Sequence, residues 1–466
     1  MKILLIQPGF GKGLGFQRTA LVEPLGLEMV ASSLLARGHE VRILDLRIEN
    51  GLGKWAKDFD PSLCGISCSF TIDVYQTLRI AKAIKRLKGE AFVIVGGHHA
   101  SLNPSDFLYP SVDAVVLGEG EVTACELAAA LEEGKEIHDV PGLALNQAGE
   151  QMLTSNRDAL ENMDDLPLPA RNLLQKYQGH YYLGFQRPLV MVETGRGCPY
   201  RCEFCSVWNF HKGKCHTKTP ERVVEEIASL HAPFLFFTDD NFLLSILSIP
   251  RAQKIAELLL ARGIRKRATF QGRSDAIVAY PEVISLWRKA GLWKVFIGFE
   301  KTVDEELSIL QKRNTVKNNE EALRILRSNK VEVCASFIVD PQYERRDFER
   351  LRHYLDQWKL YSPSLTILTP LPGTELYRRL KDRLTTQNLE LFDFVHAVLP
   401  TRLNLRDFYR EFSDLYKSGY LYRELRWKAF GFWVRELISF LHLLRMIRSF
   451  WAMGNAEYYL SGHKGF

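Results

Sequence analysis

Eleven short apolar runs alternate with helical stretches between Ile3 and Leu368, a rhythm that restricts the chain to an α/β architecture. Five of them, at 3–6, 41–46, 63–68, 92–95 and 114–117, fall within residues 1–145. The intervening stretches 26–37 and 74–87 carry helical periodicity, the second apolar at Val74, Leu78, Ala81 and Ile84. Wholly apolar strands separated by helices predict a doubly wound parallel sheet covered on both faces. Residues 146–185 are polar, include Asp164-Asp165-Leu166-Pro167-Leu168-Pro169, and read as a linker. The remaining runs, at 190–194, 234–238, 268–271, 295–299, 335–339 and 365–368, predict a second parallel sheet over 186–400, an open barrel or a curved sheet. With 466 residues, about three structural units are expected.

Composition narrows the class. Hydrophobic residues at 46% and charged residues at 25% suit a chain with a real core and exclude a disordered one. A net charge of +6 over this length gives no support for nucleic-acid binding. Eight Cys are too sparse for a disulfide scaffold. The opening apolar run stops at Pro8-Gly9, too short for a signal peptide. A reducing, cytoplasmic home is expected, where clustered Cys are metal ligands.

Parallel sheets bind ligands beyond the carboxyl ends of their strands. In the first sheet those exits read Gln7-Pro8, Ser67-Cys68-Ser69, Gly96-Gly97-His98-His99 and Gly118-Glu119-Gly120-Glu121. The paired glycines either let a bulky ligand approach the backbone or make tight turns. Cys64 and Cys68 share the spacing of a ligand pair but sit in an apolar strand, and read as small core residues.

The sharpest chemical signal directly follows the first strand of the second sheet, as Gly195-Arg196-Gly197-Cys198-Pro199-Tyr200-Arg201-Cys202-Glu203-Phe204-Cys205. Three thiolates on one short loop can converge on a soft metal centre, and an iron–sulfur cluster suits them better than zinc. Closed zinc wants a fourth ligand, for which Cys215 and His211 are nearest.

This loop, with an aromatic at Phe204 before the last Cys, resembles the signature of the radical S-adenosylmethionine (SAM) enzymes over about residues 186–400. The resemblance implies a partial (β/α)6 barrel and a [4Fe-4S] cluster held by Cys198, Cys202 and Cys205. One iron is left open to the amino and carboxylate groups of SAM, whose cleavage gives a radical that takes hydrogen from an unactivated carbon. It also places Asp239, Asp240, Arg273 and Glu300 near SAM, with the turn Thr369-Pro370-Leu371-Pro372-Gly373-Thr374-Glu375 beside the adenine. Asp239, Asp240 and Glu300 read equally as caps or solvated strand ends. An electron donor such as ferredoxin or flavodoxin is implied as partner.

Residues 1–145 resemble the cobalamin-binding half of the cobalamin-dependent subclass, which places Gln7, Ser67, Gly96, Gly97, His98, Gly118, Glu119 and Gly120 along cobalamin. Many cobalamin proteins carry Asp-x-His-x-x-Gly, whose His ligates cobalt; here Asp45-Leu46-Arg47-Ile48-Glu49-Asn50 has Arg47 in that place. A guanidinium has no lone pair to give. His98 and His99 read as pocket wall rather than as substitutes.

The segment 401–466 holds 16 aromatics, about twice the 11% of the whole chain, and eleven Lys and Arg against six Asp and Glu, a net of +5. Trp427, Phe430, Phe432 and Trp433 interleave with Arg423, Arg426, Lys428 and Arg435. No stretch of 18 residues is free of charge, so none spans a bilayer. Such a basic aromatic helical region lies on the inner, anionic membrane surface or caps the barrel mouth; both readings stand. No nucleic-acid module accompanies it. Together with Ser206-Val207-Trp208-Asn209-Phe210 and Ile338-Val339-Asp340-Pro341, the chain is most similar to the hopanoid C-3 methylases. That implies methylation of a hydrophobic polycyclic substrate, a hopanoid or, alternatively, a tetrapyrrole handled by a chlorophyll-pathway methylase or ring cyclase. From another class, a non-catalytic cobalamin-binding sensor fits the same domains.

Overall fold

The computed structural model describes residues 1–11, 19–158, 160, 162–243, 248–360, 363–417 and 440–463. All five anticipated N-terminal strands form: β1 (Lys2–Gln7), β2 (Glu40–Asp45), β3 (Leu63–Ser67), β4 (Phe92–Gly96) and β5 (Ala114–Val116). They pair in parallel in the order β2-β1-β3-β4-β5. The order reverses between β1 and β3, so Gln7 and Ser67 flank the crevice of a doubly wound sheet. Helix Val74–Leu87 shows why the layers close: Val74, Thr77, Ile80, Ala81 and Ile84 form one buried stripe. Two apolar clusters fill the two faces, and Cys64 and Cys68 lie buried in one of them as core residues.

The segment 146–185 is folded rather than a linker. Strands β6 (Leu143–Gln147) and β7 (Glu150–Leu153) add an antiparallel hairpin to the sheet beyond β5. As a solvated edge, β7 needs no apolar run, which is why polar composition hid it. Further on, Leu174, Tyr177, Tyr181 and Tyr182 enter the N-terminal core, and Tyr181 donates to Asp45 at 3.2 Å.

The second sheet has six parallel strands in sequence order: β8 (Leu189–Val192), β9 (Phe234–Phe237), β10 (Arg267–Gly272), β11 (Leu292–Glu300), β12 (Glu332–Val339) and β13 (Ser364–Ile367). They form the expected partial barrel, with helices between successive strands. Trp287 anchors its core edge-on against Phe237, Phe242 and Phe270 and donates its indole N–H to the Ala252 carbonyl at 3.0 Å.

The described parts of the C-terminal segment are helical and pack on the barrel. Residues 405–417 form a helix, followed later by Phe440–Met453 and Ala456–His463. Phe408, Tyr409, Phe412, Tyr416 and Tyr459 join the barrel core, and the Tyr416 hydroxyl donates to Leu365 O at 2.9 Å. The basic aromatic stretch from Arg423 to Arg435 lies outside the described residues.

Where helix Leu25–Ala36 meets β8, four buried ionisable groups, Glu23, Glu28, Lys218 and Glu226, gather with the half-buried Arg171. Glu23 accepts the Met191 N–H at 2.6 Å, and burial pushes its carboxyl up to about 7. Neither Glu28 carboxyl oxygen has a hydrogen-bond partner, and burial raises that group well above the usual range. Folded Glu28 therefore keeps a proton that the unfolded chain releases above its ordinary value of 4.5, so stability falls as pH rises past that point. Glu28→Gln should remove this slope, which is at most about 1.4 kcal/mol per pH unit. Denaturant unfolding at two pH values checks it: the variant gains on the parent at the higher pH, and parallel curves contradict the assignment.

Candidate active site

The Cys loop is closed at its base by a two-stranded ribbon, Gly195–Arg196 against His216–Thr217. Within the loop, the Cys205 N–H donates to Cys202 O at 3.0 Å. Phe204 packs among Leu310, Ile338, Leu368 and Leu376. The Glu203 carboxylate takes a two-point ion pair from Arg379, at 2.5 and 3.0 Å. Asn209 donates to Gly373 O at 2.8 Å, tying the turn after β13 to the same loop. These anchors hold the backbone while all three thiols stay free of disulfides.

Cys205 lies near enough to feel the charge of both Cys202 and Cys198, and Cys198 feels that of Cys202 and of Cys215. Burial pushes the Cys198 and Cys205 thiols up to about 11 and about 12, and raises Cys202. Among the described residues no three His, Cys, Asp or Glu side chains gather closely enough for a single ion. Cys215 is exposed, and His211 turns toward Asp240 at 3.8 Å, so no closed zinc site is preformed there.

The residues expected beside SAM divide. Asp239 is buried; its carboxylate accepts the Thr194 N–H at 2.9 Å and the Thr194 hydroxyl at 2.5 Å, so it ties the exit of β8 to that of β9. Asp240 accepts the Gly197 N–H at 3.0 Å and steadies the Cys loop, and burial raises its carboxyl to about 6. Its neighbour Asn241 is buried with neither amide oxygen nor amide nitrogen partnered. Arg273 is committed to Asp275 and to the carbonyls of Lys312 and Arg313, and its guanidinium lies 3.7 Å over the Tyr200 ring. It too braces the loop. Glu300 ends β11 at φ 61°, a strained conformation for a side-chain-bearing residue, and pairs with buried Lys312 at 2.7 Å. Lys312 is missing from the sequence-based set; nothing local marks it, since its role comes from reaching across to Glu300 and Cys202.

Across the seam, the strand exits of the N-terminal domain face this loop. A cavity of about 450 Å³ runs between them, lined by Ser101, Gly118 and Glu119 on one side and Phe210, His211 and Lys214 on the other. His98 reaches across the seam: its Nε2 meets Ser206 Oγ at 2.8 Å, and its ring stacks at 4.5 Å on Phe210, which lines the cavity. Burial drops His98 to about 4, leaving it neutral. His99 is locked at both nitrogens, by Thr71 at 3.0 Å and Asp106 at 2.9 Å. Arg47 is folded back onto Asp45 and Val22 O. Gly97 needs its glycine for a reason internal to the domain: at φ 114°, a Cβ would stand 2.9 Å from the Cys68 backbone. That close approach is to the neighbouring strand exit. Gln7, Ser67 and Gly96 end their strands beside it, and Gly120 opens the helix Gly120–Glu133.

A doubly wound domain whose strand exits meet a six-stranded partial barrel at a three-thiol loop is the architecture of a cobalamin-binding radical SAM protein. The "B12 binding domain" family matches residues 11–128, and the "Radical SAM superfamily" matches residues 192–355. The hopanoid C-3 methylase of Methylococcus capsulatus is 34% identical over 461 residues, covering 95% of this chain and 86% of that protein. An anaerobic magnesium-protoporphyrin IX monomethyl ester cyclase of Rubrivivax gelatinosus is 24% identical, over 86% of this chain and 73% of that protein. The cobalamin-dependent SAM radical enzyme OxsB superposes with a TM-score of 0.73 at 16% identity, over 99% of this chain and 74% of that one. TsrM, a radical SAM methyltransferase from Kitasatospora setae, gives 0.67 at 20% identity, over 83% and 76%. The chain belongs to the family of the hopanoid C-3 methylase, the cobalamin-dependent radical SAM methyltransferases. Its cofactors are a [4Fe-4S] cluster, SAM and cobalamin.

The residues present fit those groups. Three unbridged thiols, Cys202 buried and Cys198 and Cys205 half-buried, form a soft donor set with one ligand too few for a closed tetrahedral site. The orphaned Asn241 amide provides one donor and one acceptor for a polar ligand at the β9 exit. The seam cavity opens at Gly118 and Glu119.

Proposed function

We propose that this chain methylates an unactivated carbon of a hydrophobic polycyclic lipid, with C-3 of a hopanoid as the substrate position best supported. The observation that carries this reading is identity of 34% to a hopanoid C-3 methylase along nearly the whole of both chains. When bound, the cluster and SAM supply hydrogen-atom abstraction, and cobalamin supplies the methyl group. Cys198, Cys202 and Cys205 hold the cluster; Phe204, Asp240 and Arg273 fix the loop that carries them. Asn241 and Glu300 meet SAM, while Asp239 sets the strand ends beneath it. On the other side of the seam, Gly118 and Glu119, which line the cavity, would hold the cobalamin together with Gly120 and the strand ends Gln7, Ser67, Gly96 and Gly97. Neutral His98 backs the cavity through Phe210 without adding charge. A small redox protein delivers the electron.

The described residues include no helix long and apolar enough to cross a membrane. A lipid substrate calls for peripheral contact, for which the basic aromatic stretch around Trp427 and Trp433 is the candidate. The cyclase relatives favour a second reading, ring closure on a tetrapyrrole. Mass spectrometry of lipids and pigments from cells with and without the chain separates the two. One added methyl unit on hopanoids supports the proposal. Unchanged hopanoids beside an altered tetrapyrrole overturn it.

A further inference from the structure

One arginine carries partners from both domains. The Arg196 side chain is buried, two residues ahead of the first ligand candidate Cys198. Its guanidinium meets Glu193, just past β8, at 2.9 Å. It reaches across the seam to Glu121 at 2.5 Å and to Glu119 at 3.3 Å, both at the start of helix Gly120–Glu133. Glu119 lines the seam cavity. A single side chain thus links the residues before the Cys loop to the strand exit that forms the opposite wall.

Three carboxylates around one guanidinium, Glu121 buried and Glu119 and Glu193 only partly exposed, outnumber its charge, a costly arrangement if packing alone were its purpose. The fork's fixed donor directions do something that apolar contacts cannot: they resist sliding as well as separation. Beside the Cys loop the other cross-seam contacts are neutral, namely His98 with Ser206 and Phe210, and Leu102 against Gly373; the further charged contacts between the domains, Arg79 with Glu390 and Glu23 with the Met191 N–H and Arg171, are made by other elements. Two reacting groups held on separate domains need registration to within roughly 0.5 Å.

We propose that Arg196 is the register pin between the two cofactor-bearing domains, a positioning residue that locks the exit at Glu119 and Glu121 against the Cys loop. This role holds whichever substrate is methylated. The test uses the full-length protein with spin labels on genetically encoded residues at exposed Lys57 and Arg262, one in each domain. Arg196→Met keeps its iron and its circular dichroism, yet the interdomain distance distribution broadens and its mean shifts outward. Arg196→Lys recovers part of the width, since it keeps the charge without the fork. Glu121→Gln, remote from the Cys loop in sequence, broadens the distribution as well, and the double variant is no broader than Arg196→Met alone. Unchanged distributions in both single variants overturn the proposal. So does loss of iron in Arg196→Met with Glu121→Gln unaffected, which would make Arg196 a local brace of the loop. Should Arg196→Met not fold, Glu121→Gln alone decides between broadened and unchanged.

Discussion

Cys202→Ala is expected to empty the cluster loop without unfolding the barrel. Parent protein reconstituted anaerobically with iron and sulfide should carry about four irons per chain, and the variant under about one. The fold survives because the loop has other anchors: Phe204 in its apolar cluster, Glu203 on Arg379, and Asn209 on Gly373. Cys68→Ala is the contrast. That thiol is buried in the N-terminal core, so its loss trims packing and leaves the iron count alone. Iron counting together with circular dichroism checks both variants. Full iron in Cys202→Ala would remove that residue from the ligand set.

Gly197→Ala should do nearly as much damage with every thiol still in place. Gly197 has φ 90°, and a Cβ on it would overlap the Lys214 carbonyl oxygen. Relief requires moving either the strand pair at the loop's base or Cys198 itself, and Asp240 already pins the Gly197 N–H. The backbone conformation alone costs about 1 kcal/mol, and the overlap adds strain to that. Expected is a folded protein with severely reduced iron content. Gly213→Ala, where a side chain would meet nothing within 4 Å, keeps its cluster. Equal iron in the two variants would show that the loop tolerates displacement at its first ligand.

Much of this fold was legible because its strands are buried on both faces. Residues such as Ile3, Leu4, Val93 and Val95 have no polar alternation to disguise them, and all eleven strands formed where apolar runs stood. Strand β7 was missed for the converse reason, being a solvated edge with exposed Met152 and Leu153, whereas its partner β6 is a short buried run. The Cys loop was legible because ligands on one short segment carry their spacing in the sequence. Long-range partners do not. Lys312 beside Glu300, and Arg196 between Glu119 and Glu121, are pairings made by chain reversal across strands or domains. Both Glu121 and Arg196 stood inside motifs already visible; only their meeting was hidden. Asp239 and Arg273 have partners that their sequence position did not announce. Position at a strand exit suggested ligand contact, whereas their hydrogen bonds are spent on Thr194 and on the carbonyls of Lys312 and Arg313.

The vacant coordination face on one iron is tested most directly by Mössbauer spectroscopy of ⁵⁷Fe-reconstituted protein before and after SAM is added. One iron of the cluster should change its environment on addition while the other three do not, and Cys202→Ala should give no such spectrum. Four irons that stay indifferent to SAM, or a zinc ion closed by Cys198, Cys202, Cys205 and Cys215, would contradict the chemistry assigned to this loop.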